Sequence, residues 1–86
     1  MRFKMRISNN NYILSLMNPI GNHTKSLYAI SKYININPEI LENLLKNYNG
    51  VCTQGTYKYC KFKKQQDIFD CIDQLNLLLK LSGELT

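Results

Sequence analysis

Asn37-Pro38 is the junction that most constrains how this chain can fold. An asparagine side chain can accept a hydrogen bond at a helix N-cap, and proline suits the first helical position, where its missing N–H needs no partner. A helix begun at Pro38 sets Ile40, Leu41, Leu44, Leu45 and Tyr48 at one-turn spacing as an apolar stripe. Asn49-Gly50 then supplies residues that tolerate the left-handed geometry of a helix end. Glu39 and Glu42 near its start and Lys46 near its end also match the helix dipole. Upstream, Leu27, Ile30, Ser31 and Ile34 repeat the spacing, which predicts a shorter helix over residues 25–33, capped by Thr24 or Asn22.

Two hairpins flank this helix pair. Residues 1–7 alternate basic and apolar, with Arg2, Lys4 and Arg6 on one face and Phe3, Met5 and Ile7 on the other, which is strand periodicity. Residues 8–11 make a turn of Ser and Asn, and residues 12–17 return as a second strand. Past Gly50, residues 51–53 and 56–62 flank Gln54-Gly55, and a two-residue loop there sets Cys52 opposite Tyr57. That register groups Val51, Lys58, Cys60 and Phe62 on one face, and Cys52, Tyr57, Tyr59 and Lys61 on the other. Residues 65–80 form the last helix, with Ile68, Phe69, Ile72, Leu75 and Leu79 as its stripe and Cys71 and Leu78 widening it. Residues 81–86 read as a helix cap and tail.

The expected architecture is one α+β domain over residues 1–86, ordered ββααββα. Its parts are an N-terminal hairpin at 1–17, a helix pair at 25–48, a hairpin at 51–62 and a C-terminal helix at 65–80. A small antiparallel sheet is covered by helices, the last of them above all. The expected core is Phe3, Met5, Ile7, Leu14, Leu16, Leu27, Ile30, Ile40, Leu44, Leu45, Val51, Cys60, Phe62, Ile68, Ile72, Leu75 and Leu79. With 86 residues there is room for one such core.

The span from Leu27 to Tyr48 followed by residues 51–62 resembles the helix-turn-helix and wing of winged-helix DNA-binding proteins. The resemblance implies a recognition helix presenting Asn43, Lys46 and Asn47, and a wing at residues 54–58. Acids at Glu39 and Glu42 repel phosphates at the helix end that would approach a groove. Weight therefore moves to the strand that follows, where Tyr57, Lys58, Tyr59, Lys61, Lys63 and Lys64 interleave rings with cations, a composition suited to phosphates and stacked bases. Arg2, Lys4 and Arg6 extend that field if the first hairpin joins the sheet.

Charge supports the same direction. Eleven basic and six acidic residues leave a net charge of +5, which favours phosphate backbones, anionic membranes or acidic proteins. No apolar run approaches the roughly 18 residues of a membrane span. Three cysteines, an odd number, with no signal-peptide pattern predict reduced thiols in the cytoplasm, host cytoplasm if the protein is viral. Their spacing matches no zinc motif, the single His23 has no triad partner in sequence, and Asp67, Asp70 and Asp73 read as solvent-facing acids of a helix. The expected function is non-catalytic nucleic-acid binding, DNA or RNA, with no cofactor or metal. The alternative is a virus- or phage-type inhibitor or adaptor that binds a nucleic-acid-processing host protein. A homodimer through the last helix is a further expectation.

Overall fold

The computed structural model describes residues 2–81, so the expected tail and Met1 lie outside the described residues. The elements are β1 (Arg2–Ser8), β2 (Asn11–Met17), β3 (His23–Thr24), α1 (Leu27–Ile34), α2 (Pro38–Asn47), β4 (Val51–Cys52), β5 (Cys60–Phe62) and α3 (Gln65–Leu81). The expected order ββααββα is present, with the two-residue β3 added.

The sheet is antiparallel, ordered β1-β2-β5-β4, and β3 pairs with β2 on the same side as β5. β1 and β2 join through Asn9 and Asn10, whose φ values of 49° and 63° make the tight turn whose twist matches a hairpin. Asn18 organises the next loop. Its Oδ1 accepts from the N–H groups of Ile20 and Asn22 at 3.1 and 3.0 Å, and its own N–H donates to the Asn22 carbonyl at 2.9 Å. This fold-back lays β3 beside β2, with His23 opposite Met17 and Thr24 opposite Leu16.

With Thr24 held in β3, the cap of α1 passes to Ser26, whose Oγ accepts from the Ala29 N–H at 3.4 Å. Eight residues are too few for an independently stable helix. α1 persists because Leu27, Ile30 and Ile34 are buried in the common core. Asn37 caps α2 as expected, its Oδ1 accepting from the Glu39 N–H at 2.8 Å. At the other end Asn49 takes the left-handed conformation, with φ 66°, and the Gly50 N–H donates to the Leu45 carbonyl at 2.9 Å. Gly50 serves a different need. A Cβ there would lie 2.5 Å from Cys60 Sγ and 2.9 Å from the Phe62 ring.

All three helices bury their apolar sides in one core with Phe3, Leu14, Leu16, Cys60 and Phe62. α3 lies across β1, β2 and β5, and Asn76 Oδ1 accepts the Phe3 N–H of edge strand β1 at 3.1 Å. Three expected core residues lie outside that core: Ile7 is 69% exposed, Ile40 63% and Val51 58%. Phe69, assigned to the α3 stripe, is also exposed. Ile13, Ile34, Leu41 and Cys71 are buried in addition to the expected set.

Val51 follows from a register difference. Cys52 pairs with Cys60, not Tyr57, because the connection spans residues 53–59. Thr53 closes that loop: its N–H donates to the Tyr59 carbonyl at 2.9 Å and its Oγ1 accepts the Tyr59 N–H at 3.0 Å. The shift is three residues, an odd number, so β4 turns over: Val51 joins Lys61 and Cys52 joins Cys60.

Candidate nucleic-acid interface

Side chains alternate across a strand, so the pairing assigns the two faces of the sheet. Phe3 with Leu16, Met5 with Leu14, and Tyr12 with Phe62 turn toward the helices. The opposite face is built in rows. Arg6, Ile13, Lys61 and Val51 run across β1, β2, β5 and β4; Lys4 lies beside Ser15; Arg2, Met17 and His23 form a third row. Tyr59 continues the alternation one residue before β5 and belongs to the Lys61 side. Lys25 Nζ sits 4.4 Å from its ring centroid, a cation–π contact that holds the lysine near the sheet.

Arg2 and Arg6 are exposed, and Lys4 and Lys61 are half-buried, paired across the strands with buried Ser15 and Ile13. The Ser15 hydroxyl donates to the Lys4 carbonyl at 3.4 Å. Along β1 the cations repeat at about 6.8 Å, and Arg6 and Lys61 flank Ile13 at about 10 Å from each other. Acids are absent from every strand. Glu39 and Glu42 belong to α2, and Asp67, Asp70 and Asp73 to α3. One sheet face therefore gathers cations, while the described acids ride on helices.

The expected site residues divide into groups. Arg2, Lys4, Arg6, Tyr59 and Lys61 are brought together on the outer sheet face. Lys58 is drawn elsewhere: its Nζ lies 3.3 Å from Glu42 Oε1, and its carbonyl accepts the Leu27 N–H at 2.8 Å. The Lys58 ammonium, hydrogen-bonded to Glu42, holds that carboxyl below its ordinary range against the opposing effect of burial, with Lys46 helping from 3.6 Å. Tyr57 is exposed in the 53–59 loop, and Lys63 and Lys64 are exposed at the bend leading into α3. Asn43, Lys46 and Asn47 are exposed on α2. Of the segments matched to the winged-helix pattern, α1 and α2 pack together, and the expected wing residues 54–58 lie in the loop between the two-residue β4 and the three-residue β5, while α3 lies on the sheet.

His23 and Lys25 complete the face and were not legible as part of it. A two-residue strand leaves no periodic signal, and Lys25 reads equally well as the first residue of a helix.

Burial raises all three thiols. Cys71 is pushed up to about 12, Cys60 is raised by burial and then by its neighbours Cys52 and Cys71, and half-buried Cys52 is raised by burial and by Glu42. None has the lowered pKa of a reactive nucleophile. Among the described residues there is no group of three His, Cys, Asp or Glu side chains placed to hold a metal ion, and no helix is long and apolar enough to cross a membrane. Comparisons of the chain with protein families, with curated proteins and with solved structures find no match.

Proposed function

We propose that this protein binds nucleic acid without catalysis, through the sheet face opposite its helices. The observation that carries the reading is the gathering of Arg2, Lys4, Arg6, Lys25 and Lys61 on a face whose strands contribute no acid. Like charges set side by side on a sheet repel one another, and a polyanion laid across them removes that cost while releasing its counterions. Half-buried Tyr59 and Met17 supply ring and apolar surface among the cations, which suits bases as well as phosphates.

The test is titration of the purified protein with labelled single-stranded and duplex DNA and RNA at low and moderate salt. Binding that weakens steeply with salt is the expected result, and absence of binding to all four at low salt overturns the reading.

A second reading, a protein-binding inhibitor or adaptor, draws on α3, where Phe69, Leu77 and Leu81 are exposed beside Asp70 and Asp73. An acidic and apolar helix surface suits a basic, partly apolar protein groove or a second copy of the chain. Sedimentation across a concentration series tests the self-association arm: a mass that stays monomeric counts against it. For the heterologous arm, charge reversal at Asp70 and Asp73 should abolish capture of the partner.

A further inference from the structure

A cavity of about 390 Å³ opens on the cationic sheet face, lined by Arg6, Ile7, Ser8, Ile13, His23 and Lys25. Its three basic side chains come from three places in the chain: β1, β3 and the segment entering α1. No carboxylate lines it. Ser8 and Ile13, on the same face of the sheet as Arg6, add a hydroxyl and apolar wall.

Two contacts outside the cavity set its geometry. Asn18 pins the loop that brings β3 back to β2 and so places His23. The Tyr59 ring holds the Lys25 ammonium. His23 and Lys25 are therefore positioned by a hydrogen-bonded loop and a ring contact, and Arg6 and Ser8 by the pairing of β1 with β2.

Charge and size narrow the ligand. A phosphodiester carries a single negative charge, which one cation can answer, whereas a phosphomonoester carries about −1.5 to −2 at neutral pH and offers three acceptor oxygens. Two permanent cations with an imidazole and a hydroxyl match the second better than the first. The volume exceeds what a bare phosphate fills and falls within the range of roughly 300–1,000 Å³ typical of small-molecule sites, so it leaves room for an attached sugar and base.

We infer that this cavity is a phosphomonoester site, which takes the terminal phosphate of a nucleic-acid strand or a free nucleoside monophosphate. It rests on the nucleic-acid reading insofar as a strand end is the ligand. Diester contacts along Arg2, Lys4 and Lys61 then lead the chain toward a cavity that reads its end.

The experiment compares oligonucleotides of one sequence bearing either a terminal phosphate or a terminal hydroxyl, by fluorescence anisotropy. In parallel, a nucleoside monophosphate is titrated while amide chemical shifts are followed. The expected result is a preference of at least about fivefold for the phosphorylated strand, the size of one good exposed ion pair, falling to about one in Lys25→Gln and in His23→Gln. Shifts at Ser8, His23 and Lys25 with the monophosphate are expected too. Equal affinity for the two strands together with those shifts keeps the site and assigns it to free nucleotides. Equal affinity with no shifts overturns the inference and leaves nucleic-acid binding intact. If neither strand binds, the nucleic-acid reading fails and the monophosphate titration decides alone: shifts at these amides retain the site, and their absence overturns it.

Discussion

Gly50 shows how a single residue couples the helix pair to the sheet. Its lack of a side chain lets the end of α2 approach Cys60 and Phe62, and its neighbour Asn49 carries the left-handed turn. Gly50→Ala places a methyl where a backbone carbonyl, a sulfur and a ring already stand, so it should destabilise the fold by about 1–3 kcal/mol, the usual cost of overpacking. Urea unfolding checks this as a lower midpoint at unchanged slope; an unchanged midpoint would mean the contact relaxes freely. The thiols give a second test at this scale. Cys60 and Cys71 are buried with raised pKa values, and only Cys52 is half-exposed. A thiol reagent at neutral pH should therefore label Cys52 first, and the other two only at the rate of opening or in denaturant. Three equally fast thiols in the native protein would contradict the packing around β5.

Among the elements, α2 is tied to the 53–59 loop by the Glu42–Lys58 pair. The folded-state pKa of Glu42 is below its ordinary value of 4.5, chiefly through the hydrogen bond from Lys58. A depressed carboxylate contributes stability that is present above its unfolded pKa and lost as pH falls through the folded one. Glu42→Gln should thus be less stable than the parent at neutral pH, and the two should converge in acid, as pH falls through the folded-state pKa. Urea midpoints at neutral and acid pH check it; a gap that persists undiminished in acid shows that the ion pair is not its source. The same substitution frees Lys58 and explains why a lysine in a basic run need not belong to a basic surface.

Across the whole molecule, Arg2, Lys4, Arg6, Lys25 and Lys61 gather on the sheet face, and the described acids lie on α2 and α3, which also carry Lys46 and Lys80. If the sheet face engages about five phosphates of a single strand, the logarithm of affinity should fall with the logarithm of salt at a slope near −3.5. Lys61→Gln should weaken binding and flatten that slope by about 0.7, whereas Lys80→Gln on α3 should change neither. Equal effects of the two substitutions would point to diffuse attraction by net charge and away from a defined face.

Much of the fold was legible because it is written in local pattern. Asn37-Pro38, the alternation through Arg2 to Ile7, the Asn9-Asn10 turn and the long apolar stripe of α3 are signals that act within a few residues, and each produced its element. The face of β4 was not, since one loop length decides it, and Thr53 bonding to Tyr59 lengthened the loop by an odd number of residues. Nor were His23 and Lys25, which reach the sheet through Asn18 and Tyr59. The sequence by itself determined the three helices and the first hairpin, though not β3 or the short extent of β4 and β5, and that Arg2, Lys4 and Arg6 share a side, because strand periodicity is a property of adjacent residues. Only the tertiary structure decided which lysines join them: strand pairing brought Lys61 to that face, a ring contact brought Lys25, and an ion pair with α2 took Lys58 away.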